Sequence, residues 1–190
     1  MCDGELTDPI QFTTLNTDGV TEYNWTNTNT SIGLASAGTG DIGSFSVVNT
    51  STSAQSATIT VTPTYTNNGV ICSGNSEQFT ITVNPSAQVN DVTNYNTILC
   101  DGEFTPVYSF TTANTDGLTS FNWTNNNVAI GLVASGEGGI PSFQVTNSTQ
   151  STISATITVT PSYENNGIIC DGNAETCLLY TSDAADDRDS

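Results

Sequence analysis

From Ser56 to Pro63 the chain alternates strictly. Ala57, Ile59 and Val61 are apolar, and Thr58, Thr60 and Thr62 between them carry hydroxyls. A period of two in β-branched residues predicts a strand with one face buried and the other wet. Pro63, which has no backbone N–H, is read as its stop. The same eight letters return from Ser154 to Pro161, 98 positions further on.

The recurrence extends well beyond that strand. Cys2–Gln78 aligns with Cys100–Thr176 without a gap, with roughly 46 of 77 positions identical. The chain is therefore a tandem array of units about 98 residues long, each large enough for one thin core. The expected divisions are 1–85 for the first repeat, 86–176 for the second and 177–190 for a tail. Met1 aligns with Leu99, so the chain is read as starting inside a repeat and as a fragment of something longer.

Patterning predicts the same elements in both copies. Cys2-Asp3-Gly4-Glu5 and Cys100-Asp101-Gly102-Glu103 read as turns into a strand ending near Phe12 or Phe110. Asn16-Thr17-Asp18-Gly19 and Asn114-Thr115-Asp116-Gly117 read as loops, because Asn, Asp and Gly tolerate positive φ. Tyr23 and Trp25, like Phe121 and Trp123, are two apart, so both aromatics of a pair face the same way, toward the core. An exposed aromatic platform for sugars is the sharper alternative. Strands are expected at Ser44–Asn49, Phe79–Val83 and Ser142–Asn147, with Val89 and Val92 the apolar contacts of a short strand between the copies. The fold class is all-β, two antiparallel β-sandwiches in tandem.

Copy two loses its register at one point. Cys170–Thr176 tracks copy one, and Cys177-Leu178-Leu179-Tyr180-Thr181-Ser182-Asp183-Ala184-Ala185-Asp186 then departs from it. That run resembles the translated read-through of a transposase-type sequencing adaptor at the end of a metagenomic fragment. Residues 177–190 are accordingly expected to be non-native, leaving the second sandwich without its native closing strand and with a bare sheet edge. Leu179 falls where Ile81 falls in copy one, so the tail can form a strand in its place.

Composition narrows the chemistry. The chain has 19 carboxylates, no His and one Lys or Arg, Arg188, for a formal net charge of −18. With a single basic side chain against 19 carboxylates it cannot neutralise phosphates, so nucleic acid and anionic membrane are poor partners. With no His there is no Ser-His-Asp or Cys-His catalysis and no His-bearing zinc site. Glu5 with Asp18, or Glu103 with Asp116, could in composition form a glycosidase-like carboxylate pair. Their near-identical duplication suits scaffolding better, and no enzyme is expected. Gly38-Thr39-Gly40-Asp41-Ile42-Gly43 spells a dinucleotide fingerprint, but neither the preceding parallel strand nor the following helix is predicted. No cofactor is expected.

Calcium is the remaining ligand candidate. Asp3, Glu5 and Glu77 in copy one, and Asp101, Glu103, Asp171 and Glu175 in copy two, flank the cysteine turns and offer hard oxygen donors. Cys2, Cys72, Cys100 and Cys170 keep step with the repeat, and Cys177 is the fifth cysteine. Cysteines without His point to disulfides in an oxidising compartment. Four cysteines allow three pairings. Cys2–Cys72 and Cys100–Cys170 are favoured because each unit then closes itself, with a loop-closure contribution of about 4 kcal/mol. If the cysteine turns lie at opposite ends of a sandwich, neighbouring domains have to supply the partners, or the thiols stay free.

Phe121-Asn122-Trp123-Thr124-Asn125, Ile130-Gly131-Leu132, Ile140-Pro141-Ser142-Phe143, Ala155–Pro161 and Phe79-Thr80-Ile81-Thr82-Val83-Asn84-Pro85 together resemble the tandem PKD-like repeats of Bacteroidota, over essentially all of residues 1–176. That resemblance implies immunoglobulin-like sandwiches strung in long secreted or cell-surface proteins, often of the gliding-motility-associated type. With the cysteine usage it implies an extracellular or cell-surface location, and the role expected is a non-catalytic spacer that supports adhesion or gliding, with neighbouring repeats, surface glycans or proteins as partners. A carbohydrate- or calcium-dependent binding module is the alternative.

Overall fold

In the computed structural model, which describes residues 1–182 apart from the side chain of Asn94, the chain is almost wholly β and forms two compact units, Met1–Ser86 and Ala87–Ser190. Strands in the first are β1 (Val20–Asn27), β2 (Ala37–Thr39), β3 (Gln55–Asn67), β4 (Val70–Ser73) and β5 (Glu77–Val83). The second contains β6 (Thr97–Cys100), β7 (Leu118–Asn125), β8 (Ser135–Glu137), β9 (Ile153–Asn165), β10 (Ile168–Asp171) and β11 (Glu175–Ser182).

The repeated Thr-rich stretch is the central strand of each sheet. In β3, Ala57, Ile59 and Val61 are buried and Thr58, Thr60 and Thr62 half-buried, as the alternation demands. One edge of β3 pairs antiparallel with β1 from Ile59 to Thr66, and β2 pairs in turn with β1. The other edge is shared, with β5 along Gln55–Val61 and β4 along Thr64–Asn67. The hydroxyl face carries a cross-strand ladder, Ser56 with Thr82 at 2.9 Å, Gln78 Nε2 to Thr60 Oγ1 at 3.1 Å, and Thr62 with Ser76 at 2.7 Å.

Pro63 does not stop this strand, contrary to the sequence reading. Its carbonyl accepts from Gly74 N, so its nitrogen points to that same edge, into the gap between the end of β4 at Ser73 and the start of β5 at Glu77. A missing donor there breaks no ladder bond. Pro161 sits identically, and its carbonyl accepts from Gly172 N. Asn68 and Gly69, at φ 47° and 80°, then close the β3–β4 hairpin in the left-handed conformation that two-residue turns require. Asn166 and Gly167 repeat it at 51° and 76°.

The facing layer is less regular than expected. Leu6 and Ile10 bridge Ser46 and Ile42, as Phe104 and Tyr108 bridge Gln144 and Ile140, but neither the segment ending near Phe12 or Phe110 nor Ser44–Asn49 or Ser142–Asn147 forms a continuous strand. Pro9 and Pro106 lie in the bridged stretches and withhold the donors a ladder would use. The layers enclose one core per unit. Trp25, Ile32, Val47, Ile59 and Val83 are central in the first, and Trp123, Ile130, Ile157, Val159 and Leu179 in the second.

The bare edge expected in the second unit is filled. β11 pairs with β9 in the register β5 uses on β3, placing Cys177 opposite Ile157 and Leu179 opposite Ala155, as Phe79 faces Ile59 and Ile81 faces Ala57. β6 runs parallel to the outer edge of β11. The short strand between the copies thus lies at Thr97–Cys100, later than Val89 and Val92, which precede it and pack on the core. Residues 183–190 of the tail, Arg188 among them, lie outside the described residues.

Candidate functional site

The aromatic pairs of β1 and β7 occupy the interior. Trp25 and Trp123 are 7% and 4% exposed, with Tyr23 and Phe121 partly buried against the same cores. Each indole lies across the neighbouring edge strand, where Trp25 pairs with Gly38 and Trp123 with Gly136. A Cβ at either glycine would fall within the indole ring, so only glycine lets the ring lie flat there. Neither indole nitrogen has a hydrogen-bond partner, and Tyr23 Oη is likewise buried without one. Sugar-binding platforms need rings open to solvent, and these are not.

The acids work as turn acceptors. Asp3 Oδ1 accepts from Asn49 N at 2.7 Å, and Asp101 Oδ1 from Asn147 N at 2.8 Å. Glu5 Oε2 accepts from Cys2 N at 2.8 Å, and Glu103 Oε2 from Cys100 N at 2.7 Å. Asp171 Oδ1 takes the Ser162 hydroxyl at 3.1 Å, while Glu77 and Glu175 are exposed at strand starts. No group of three or more His, Cys, Asp or Glu placed to hold a metal ion occurs among the described residues. The Glu5–Asp18 and Glu103–Asp116 pairings divide in the same way. The glutamates serve the cysteine turns, and the aspartates hold loop corners at φ 64° and 65°.

Both favoured disulfides are overturned. Cys2 and Cys170 are disulfide-bonded, and Cys72, Cys100 and Cys177 carry free thiols. Cys2 bridges Asn84, just beyond the Val83–Gln55 pair, whereas Cys72 pairs with Tyr65. Gln55 and Tyr65 are ten residues apart on β3, about 33 Å of extended strand, against the under 7 Å between Cα atoms that a disulfide spans. The same separation divides Cys100, paired with Ser182, from Cys170, paired with Tyr163. The calcium argument loses its premise with the pairing, since the acids at the two cysteine turns are not drawn together. Cys177 is buried, which pushes its thiol up to about 11.

Two sets of residues were not picked out from sequence. Asn27 and Asn125 donate from Nδ2 to Leu34 and Leu132 carbonyls at 3.0 and 2.8 Å, and Asn49 and Asn147 donate to Val83 and Thr181 carbonyls at 2.7 and 3.2 Å. These buried amides tie loops to strands, and their repetition at the 98-residue spacing was the available signal. The second is an open groove of about 320 Å³ on the first unit, between Phe12, Tyr23, Val61, Pro63 and Phe79.

No family model matches the chain, and neither the curated proteins nor the solved structures contain a match. No helix among the described residues is long and apolar enough to cross a membrane, a statement that does not bear on β-barrels.

Proposed function

We propose that the chain is a non-catalytic spacer, a pair of PKD-like repeats from a long secreted or cell-surface protein of the Bacteroidota gliding-motility-associated type. Such repeats hold distal domains away from the cell and support adhesion. The observation that carries this reading is the burial of Trp25 and Trp123 in duplicate settings, which leaves each copy's largest aromatic to core packing rather than to a ligand. The turn acids, engaged by backbone donors in both copies, support it, and a disulfide is in keeping with an oxidising, extracellular setting.

Force spectroscopy on a polyprotein of this chain tests the proposal. Each copy is expected to give its own cooperative rupture, and a glycan array probed with the same protein is expected to stay blank. Extension without force peaks, or sugar binding accompanied by indole quenching, would overturn it.

A further inference from the structure

The β3–β4 hairpin ends the first sheet in an open edge. Gly74 N donates to the Pro63 carbonyl, and positions two steps apart along an antiparallel ladder bond alike. Cys72 with Tyr65, and Val70 with Asn67, therefore also bond inward. Ile71 and Ser73, the alternate residues, turn their N–H and C=O groups outward. No strand among the described residues pairs with that side of β4, and all four of its residues are exposed.

Apolar side chains stand along this end of the sheet. Val70 and Ile71 are 64% and 68% exposed, and Val20, in one row with Thr66 and Ile71, is 63% exposed. The second copy changes the letters and keeps the character. Leu118, Ile168 and Ile169 replace Val20, Val70 and Ile71, and are 70%, 42% and 63% exposed. The exposure thus belongs to the repeat and not to one place in the chain. Charge then singles out the first copy. From Asn67 to Ser76 no residue is charged, in a chain of formal net charge −18 that otherwise repels its own kind. Charges ordinarily keep sheet edges apart, and the second copy has one, Asp171 in the place of Ser73. Cys170 is disulfide-bonded, whereas its counterpart Cys72 is exposed with a free thiol.

We propose that the outer edge of β4 pairs antiparallel with β4 of a second copy of this chain, and that Cys72 locks the pair as a disulfide across the two-fold axis. The outward groups fix the register. Centred on Cys72, it sets Ile71 against Ser73 of the other copy and Ser73 against Ile71, so both outward residues exchange both their hydrogen bonds. Centred on Ile71, a single pair within the strands would bond. Cys72 then faces its own counterpart at a non-hydrogen-bonded position, where Cα atoms lie about 4.5 Å apart, within the roughly 4.4–6.8 Å of disulfides. A second copy is the occupant because the edge is self-complementary in this register, and an uncharged edge is where two molecules of like charge approach at least cost. The lock forms by exchange with a low-molecular-weight disulfide. One Cys72 thiolate attacks it and releases a thiol, and the other Cys72 displaces the second, so the two cysteines are oxidised and the small disulfide is reduced to two thiols. Such pairing joins chains side by side, which goes beyond the spacer reading and does not depend on it.

The test incubates the whole chain with oxidised glutathione, follows dimer formation on non-reducing gels and maps the cross-linked peptides. A dimer joined from Cys72 to Cys72 is expected, formed as readily by Cys100→Ser and absent from Cys72→Ser. Ser73→Asp copies the residue that the second copy carries at this position, and circular dichroism checks that its fold is kept. It should slow cross-linking about tenfold or more, because an acid then lies beside Ile71 of the other copy. The absence of a Cys72–Cys72 dimer, or cross-links that run mainly through Cys100, would overturn the assignment. So would a folded Ser73→Asp chain that dimerises as fast as the parent, or a rate unchanged in unfolding urea, where no strand edge exists.

Discussion

Thr181 is the residue in which the departure of the tail from the repeat becomes measurable. It is fully buried and its Oγ1 has no partner, at the position where the first unit has Val83, also fully buried. Both residues give their backbone carbonyl to a buried asparagine, Asn147 or Asn49, so the two sites differ chiefly in hydroxyl against methyl. A buried unpaired hydroxyl costs about 1–3 kcal/mol. Thr181→Val should therefore stabilise the second unit by about that amount, and Val83→Thr should destabilise the first by a similar one. For a domain of about 100 residues this is a shift of roughly 5–15 °C in Tm. Scanning calorimetry and urea unfolding of both variants supply the numbers. A neutral or destabilising Thr181→Val, or a harmless Val83→Thr, would refute the reasoning. The expected outcome also fits a β11 whose sequence was not selected for the place it occupies.

Other outcomes follow from the same geometry. Gly136→Ala forces a Cβ into the Trp123 ring and should cost about 1–3 kcal/mol by overpacking, read as a lower urea midpoint. Asp101→Ala removes the acceptor of Asn147 N and should cost about 1–3 kcal/mol, while calcium or a chelator leaves the wild-type Tm unmoved. Peptide mapping without reduction should find Cys2 and Cys170 in disulfide linkage. A thiol reagent should modify exposed Cys72 and Cys100 at once and Cys177 only on unfolding. Burial raises the Cys177 thiol from 9.0 to about 11, so the folded second unit holds that proton more tightly than the unfolded chain. Its stability is unaffected by this group below pH 9 and falls as pH climbs from there toward 11, a trend that Cys177→Ala should weaken, the remainder coming from Tyr108 and Tyr163, which burial also raises.

Features with a local cause could be read from the residues. The faces of β3 and β9 follow from alternation alone, because side chains in a strand change sides at every step. The loop corners at Asp18 and Asp116, and the Asn-Gly hairpins at Asn68 and Asn166, follow from residues that accept positive φ cheaply. Duplication was visible because identity at a fixed spacing needs no folding to detect. The burial of Trp25 and Trp123 followed from the spacing of two to their aromatic neighbours.

What the tertiary structure decided concerns places where distant segments meet. Whether Pro63 ends a strand depends on where β4 stops and β5 starts beside it, which no local pattern encodes. Periodicity left the cysteine pairing open, and only the topology shows that Cys2 and Cys72 lie beside points on β3 about 33 Å apart. The tail found a place because the edge of β9 accepts a strand that sets small or apolar side chains inward, and Cys177, Leu179 and Thr181 meet that minimum. The groove on the first unit is likewise invisible residue by residue. It forms where Phe12, Tyr23, Val61, Pro63 and Phe79, far apart along the chain, come together.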